Sequence, residues 1–161
     1  MKKINSYGAE MRCYPVIVFA YNRPEHLQRT LSALAETEYA DKSPLIIFCD
    51  GPKSGQSIQK LDLVKAVANH HIWVEKFASV RVEFSKSNLG LANSIINGVS
   101  SVLKDYDAAI VLEDDLIVAP DFLKFMNDCL TYYRDDSHIG SVTGFCPLKQ
   151  IPKGYTHDVL I

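Results

Sequence analysis

The chain has 161 residues, enough for one domain that buries roughly 70% of its unfolded surface, so folding by itself requires neither a disulfide nor a metal. Lys and Arg number 17 against 19 Asp and Glu, and a formal net charge of -2 excludes the strong basic field of a nucleic-acid or acidic-membrane binder. No run approaches the ~18 apolar residues of a membrane helix, and Cys13, Cys49, Cys129 and Cys146 show no C-x-x-C spacing, which predicts a reducing, cytoplasmic setting.

Val16 to Ala20 is a continuous apolar run with the length and β-branched content of a strand buried on both faces. It stops at Asn22, which with Glu25 has the spacing of a capping box, and Leu27, Leu31 and Leu34 then follow at helical intervals. The apolar stretch "PLIIFC" predicts a second strand ended by Asp50 and Gly51. After it, Ile58, Leu61, Val64, Ala68 and Ile72 recur at near-helical spacing. The third strand, "SVRVEFS", alternates Val80, Val82 and Phe84 with Arg81 and Glu83, the pattern of a sheet edge.

Beyond "KSNLG", Leu91, Ile95, Val99 and Val102 mark one helix face, and Ala108 to Leu112 predict a fourth strand, apolar throughout. Pro120 suits the first turn of a further helix whose inner face would be Phe122, Met126, Leu130 and Tyr133, and "HIGSVTGF" predicts a short fifth strand. With no internal linker, repeat or low-complexity tract, residues 1–161 are expected to form a single domain.

Alternation of strands and helices implies an α/β, Rossmann-like fold with a mainly parallel sheet. An edge strand three and the most apolar strands one and four give the order 3-2-1-4. In such sheets ligands bind beyond the carboxyl ends of the strands, where this sequence places Asn22, Arg23, Asp50, Glu113, Asp114 and Asp115. The ends of strands two, one and four span roughly 10 Å, about the size of a nucleoside.

The acidic run needs its own explanation, because ionised carboxylates are almost never fully buried without a partner. Acids after a strand also cap helices or face water, and for the triplet alone that alternative stands. Here, however, the chain turns apolar again at once with "LIVAP", so the cluster is flanked by burial on both sides. A divalent cation would balance it. Mg²⁺ and Mn²⁺ prefer oxygen ligands and are often held by one or two carboxylates, with phosphates and water completing the shell. In an extended segment Glu113 and Asp115 would point to one side and Asp114 to the other.

The stretch "IVLEDDLIVAPDFLKFM" resembles the acidic signature of the metal-dependent GT-A glycosyltransferases, particularly the E-D-D form of N-acetylglucosaminyltransferase I and its relatives in the family 2-like group. The resemblance extends backwards through "KSNLGLANSIINGV", "IIFCDGP" and "VIVFAYNRPEHLQRTLSAL", in order and spacing, and covers about Pro15 to Gly144. It implies a GT-A nucleotide-diphospho-sugar transferase fold, with Asp115 ligating Mn²⁺ or Mg²⁺ at the diphosphate of a nucleotide sugar. Asp114 and Glu113 would lie near the ribose and the sugar.

Asp50 would accept a hydrogen bond from the base ring N–H, which suits uracil, where cytosine presents an acceptor; read alone, it is a turn aspartate. Asn22 and Arg23 would border the nucleotide, with Arg23 near base or phosphates or simply at the surface. Asn93 and Asn97 lie one helical turn apart, and Asn97 is nearer the family position in the nucleoside pocket. His70 and His71 point roughly 100° apart on a helix, which argues against a shared metal, and Asp135 and Asp136 are expected to be solvated.

The implied reaction is attack of an acceptor hydroxyl, on a saccharide or glycan, at the anomeric carbon of a UDP-sugar. No carboxylate that would take the acceptor proton is identified, so no catalytic residue is named. In the resembled family that base and the acceptor site come from a later half of the domain, and this chain is expected to be the donor-binding half. A non-catalytic nucleotide-sugar-binding module is the main alternative. A sugar-nucleotide pyrophosphorylase is disfavoured because "AYNRPEH" has no glycine, and a phospho-acceptor receiver domain because strand one ends in Asn-Arg rather than paired acids.

Overall fold

The computed structural model describes residues 13–55 and 58–145; Cys146, both ends of the chain, Gln56 and Ser57 lie outside the described residues. Strands β1 (Val16–Ala20), β2 (Pro44–Cys49), β3 (Ser79–Phe84) and β4 (Ile110–Glu113) form a four-stranded parallel sheet in the order β3-β2-β1-β4. The connections carry helices α1 (Pro24–Ala35), α2 (Gln59–Ala68), α3 (Ile72–Lys76) and α4 (Leu91–Val102), and α5 (Phe122–Tyr132) follows β4. This is the GT-A-like arrangement, with the strand order that the apolar and alternating runs predict.

The sheet separates two apolar layers by the period-two rule, although β1 has no polar residue to display it. On one face Val16 and Val18 meet Leu27, Leu31 and Leu34 of α1, all fully buried, and Leu123 and Met126 of α5 join the same cluster. Burying each such leucine stabilises the fold by about 1.5–3 kcal/mol. On the other face Ile17, Phe19 and Ile46 meet Val102 of α4. The helix comes close there because residue 98 is glycine: a Cβ at Gly98 would lie 2.7 Å from the Phe19 ring, which is stacked on Phe48. Among the described residues β3 pairs with β2 alone; Val80 and Val82 turn to the core, and Arg81 and Glu83 are exposed.

Local details differ from the sequence pattern where other physics wins. The residue that precedes α1 as its N-cap is Arg23, not Asn22, and no side chain caps it. Pro24 takes the first helical position, where its missing N–H costs nothing, and holds Arg23 out of helical geometry. The expected single helix from Ile58 to Ile72 is two. α2 ends at Ala68, and the Trp73 indole N–H donates to the Val67 carbonyl at 2.7 Å, satisfying a group that a continuing helix would have used.

Ile58, just before α2, and Ile72, the first residue of α3, are both exposed. The buried face of α5 is set by Leu123, Met126, Asn127 and Cys129. Asn127 was hidden from an apolar count: its side chain accepts the Tyr14 N–H at 2.7 Å and donates to the Leu123 carbonyl. The fifth strand does not form within residues 138–145. Gly144 instead runs so close to α5 that a Cβ there would meet the Phe122 ring at 2.5 Å. No helix among the described residues is long and apolar enough to cross a membrane.

Candidate functional site

Because the sheet is parallel, the carboxyl ends of β1, β2 and β4 open on the same edge. Residues at or just beyond these ends, Asn22 and Arg23, Asp50, and Glu113 with Asp114, line one cleft of about 320 Å³. Asn88, Gly90 and Ser94, before and on the first turn of α4, close its far wall.

The acidic turn is held from α1. Asp114 is only 2% exposed, and its backbone carbonyl accepts the Thr30 hydroxyl at 2.9 Å. Its carboxylate is paired with Arg23 Nη2, while Nη1 of the same guanidinium donates to Asp115 at 2.8 Å. The charge that burial makes expensive is therefore compensated by a fork that spans both carboxylates. Burial alone would lower the Arg23 pKa, but its hydrogen bond to Asp114 and the charges of Asp114 and Asp115 outweigh this and raise it, so the guanidinium stays charged.

Strand alternation ends at Glu113, the last β4 residue, and Asp114 and Asp115 form a turn. One guanidinium consequently reaches both, where an extended backbone would have placed them on opposite sides. Among the described residues no group of three or more His, Cys, Asp or Glu is gathered as a closed metal cage. What the turn offers is hard carboxylate oxygen from two converging residues. That donor set suits half of a Mg²⁺ or Mn²⁺ shell and not a zinc site.

Asp50 has more partners than a turn aspartate needs. Its Oδ1 accepts the backbone N–H of Gly51 at 2.8 Å and of Leu89 at 2.8 Å. Its Oδ2 accepts the Asn88 side-chain amide at 2.9 Å and the Gly90 N–H at 3.0 Å. These bonds tie the end of β2 to the start of α4 and put a negative charge at the amino end of a helix that has no side-chain cap, where the macrodipole favours it. The Asn88 amide also donates to the Gly51 carbonyl. The sequence reading passed over Asn88 and Thr30, and only the glycine in "NLG", at positive φ in Gly90, hinted at a tight turn there.

Asn97 is not in the cleft itself. It is exposed and lines an adjoining groove of about 410 Å³ with Phe48, Arg81 and Glu83 on the β3 side, a groove that also takes in Asp50 and Ser94. Ser94, nearly one turn earlier, lines both, and its hydroxyl is buried with no hydrogen-bond partner among the described residues. The Asn93 amide is engaged with the Leu89 carbonyl at 2.9 Å. His70 and His71 stack on each other, both exposed, and Asp136 is exposed but accepts the His138 N–H. Cys49, the last residue of β2 and next to Asp50, is buried. Burial, and then the charge of Asp114, push its thiol up to about 12, so it stays protonated and is no nucleophile.

Comparison with known proteins extends over nearly the whole chain. Residues 1–146 match the profile of a family described as the GNT-I family. The alpha-1,3-mannosyl-glycoprotein 2-beta-N-acetylglucosaminyltransferase of Arabidopsis thaliana is 24% identical over 155 residues, which are 94% of this chain and 34% of that protein. The chain thus spans about a third of that relative's length. The crystal structure of S. aureus TarS superposes with a TM-score of 0.52 at 17% identity, over 75% of this chain and 20% of the other, a likeness of fold.

Proposed function

The chain belongs to the GNT-I family, and from that premise we propose that it binds a UDP-sugar, with Mn²⁺ or Mg²⁺, as the donor-binding part of a glycosyltransferase that passes the sugar to a glycan hydroxyl. The observation that carries this reading is the convergence of Asp114, Asp115 and Arg23 beside a cleft that also holds Asp50. The Arabidopsis relative is named for transfer of N-acetylglucosamine, which makes UDP-N-acetylglucosamine the first donor to try.

In this proposal the base lies toward Asp50 and the diphosphate toward the acidic turn. A uracil ring N–H reaches Asp50 by taking the place of the Asn88 amide, among the described residues the one donor on that carboxylate that belongs to a side chain and can rotate away. Glu113 and Ser94 border the space between. Asn97 lines the adjoining groove, which shares Asp50 and Ser94 with this cleft, and in this proposal it borders the base end of the site. A divalent ion held by Asp115, with Asp114 alongside, would offset the negative charge that grows on the departing diphosphate. Arg23 and Lys53 add fixed positive charge to the same cleft.

Base reading is tested by calorimetry with UDP, CDP and GDP in the presence of Mn²⁺. UDP is expected to bind most tightly, and Asp50→Ala to weaken all three nucleotides and abolish the preference, because it removes both the base contact and the tie to α4. Equal affinities for the three in the unaltered protein would refute a base-reading role for Asp50.

A further inference from the structure

We propose that Arg23 is the resident counter-cation of the acidic turn, and that a divalent ion arriving with the nucleotide displaces one of its two ion pairs and frees that N–H for the diphosphate. The inference rests on the donor-site reading above and adds how the site passes between its empty and filled states.

The two halves of the bridge are unequal. Asp114 is 2% exposed, whereas the Asp115 and Arg23 side chains are 39% and 42% exposed. Asp114 is also locked, since Thr30 holds its carbonyl from α1. Breaking the Arg23–Asp114 contact would leave a buried carboxylate without charge partner or water, the costly direction. Breaking the 2.8 Å contact between Nη1 and Asp115 leaves two partly exposed groups, which water and ions can reach. The exchange therefore falls on the Asp115 half.

A guanidinium is suited to such a partial release. Its planar fork carries five N–H donors in fixed directions, so Nη2 can stay on Asp114 while Nη1 lets go. Arg23 lines the cleft, so the released N–H already lies within the space assigned to the diphosphate. Two consequences follow from one geometry. The ion alone must compete with Nη1 for the Asp115 carboxylate and binds weakly. Once a diphosphate is present to accept the freed N–H, that competition is relieved, so ion and nucleotide strengthen each other's binding by the same factor.

The test titrates Mn²⁺ alone, and Mn²⁺ at saturating UDP, into the unaltered protein, Arg23→Gln and Arg23→Lys, with thermal unfolding of each. Arg23→Gln is expected to bind Mn²⁺ alone about tenfold more tightly, the loss of one competing charge-assisted hydrogen bond, and the enhancement by UDP is expected to shrink toward one. Without metal this variant should melt below the unaltered protein, and Mn²⁺ should raise its Tm by the larger amount. Arg23→Lys keeps the charge but cannot span two carboxylates, so it too should bind Mn²⁺ alone more tightly than the unaltered protein. A lysine variant indistinguishable from arginine in Mn²⁺ affinity, or a glutamine variant that binds Mn²⁺ no better, would overturn the exchange. UDP binding to the unaltered protein that ignores Mn²⁺ would instead overturn the donor-site reading itself, and that result shows before any variant is made.

Discussion

Alanine at position 51 is expected to lower folding stability by about 1–3 kcal/mol and to weaken nucleotide binding along with it. The added methyl would sit 2.6 Å from the Ser85 carbonyl oxygen and 2.6 Å from backbone atoms of Ser87. None of these atoms can rotate aside, so the chain that runs from β3 to α4 has to move. That chain is fastened to the end of β2 by the Ser85 N–H on the Cys49 carbonyl at 3.0 Å and the Asn88 N–H on the Pro52 carbonyl at 3.2 Å. It also supplies the Asn88, Leu89 and Gly90 donors to Asp50. One methyl group thus strains the fold and unseats the wall of the cleft. Urea denaturation and UDP calorimetry on Gly51→Ala measure the two effects, and a variant as stable as the unaltered protein would contradict the close approach.

The adjacent acids should separate stability from binding. Asp114→Ala removes a buried carboxylate and its hydrogen bond to a charged partner, an interaction worth about 1.5–3 kcal/mol, and is expected to lower both the unfolding midpoint and UDP affinity. Asp115→Asn changes a group at the rim, where an ion pair contributes about 1 kcal/mol or less, so the fold should be nearly unaffected. Its Mn²⁺-dependent UDP binding should nevertheless fall about 100-fold, the upper range for disturbing even the partners of metal ligands. Equal loss of stability in both variants would show that the 2% and 39% exposures of Asp114 and Asp115 do not govern their roles.

Much of this architecture was legible because the hydrophobic effect writes it in the sequence at short range. The unbroken run Val16 to Ala20 marked the strand with neighbours on both sides, and alternation at Val80 and Val82 marked the edge. The polar residues that end β1, β2 and β4 marked the cleft, since polar groups after buried strands collect at the open edge of a parallel sheet.

What the pattern missed depends on contacts distant in sequence. Thr30 holds a carbonyl 84 positions away, and Asn88 bonds a carboxylate 38 positions away, so neither shows in a local window. Asn97 was placed by family spacing; with Gly98 packed against Phe19, α4 sets Ser94 on the wall shared by the two grooves and Asn97 in the groove beyond it, a placement no local window shows. The fifth strand failed for a related reason: apolar alternation in "HIGSVTGF" speaks for burial of Val142, which does touch the core, but cannot say whether its backbone finds a partner strand.

The central claim is that the acidic turn and the cleft beside it form a metal-assisted diphosphate site. A diphosphate brought alone to Glu113, Asp114 and Asp115 meets like charges that repel by about 1 kcal/mol per pair even in water, and by more where the site is partly buried. Calorimetric titration of UDP, once with Mn²⁺ and once with a chelator, tests this directly. The account predicts saturable binding with Mn²⁺ and at least tenfold weaker binding with the chelator; equal affinity under the two conditions would contradict it.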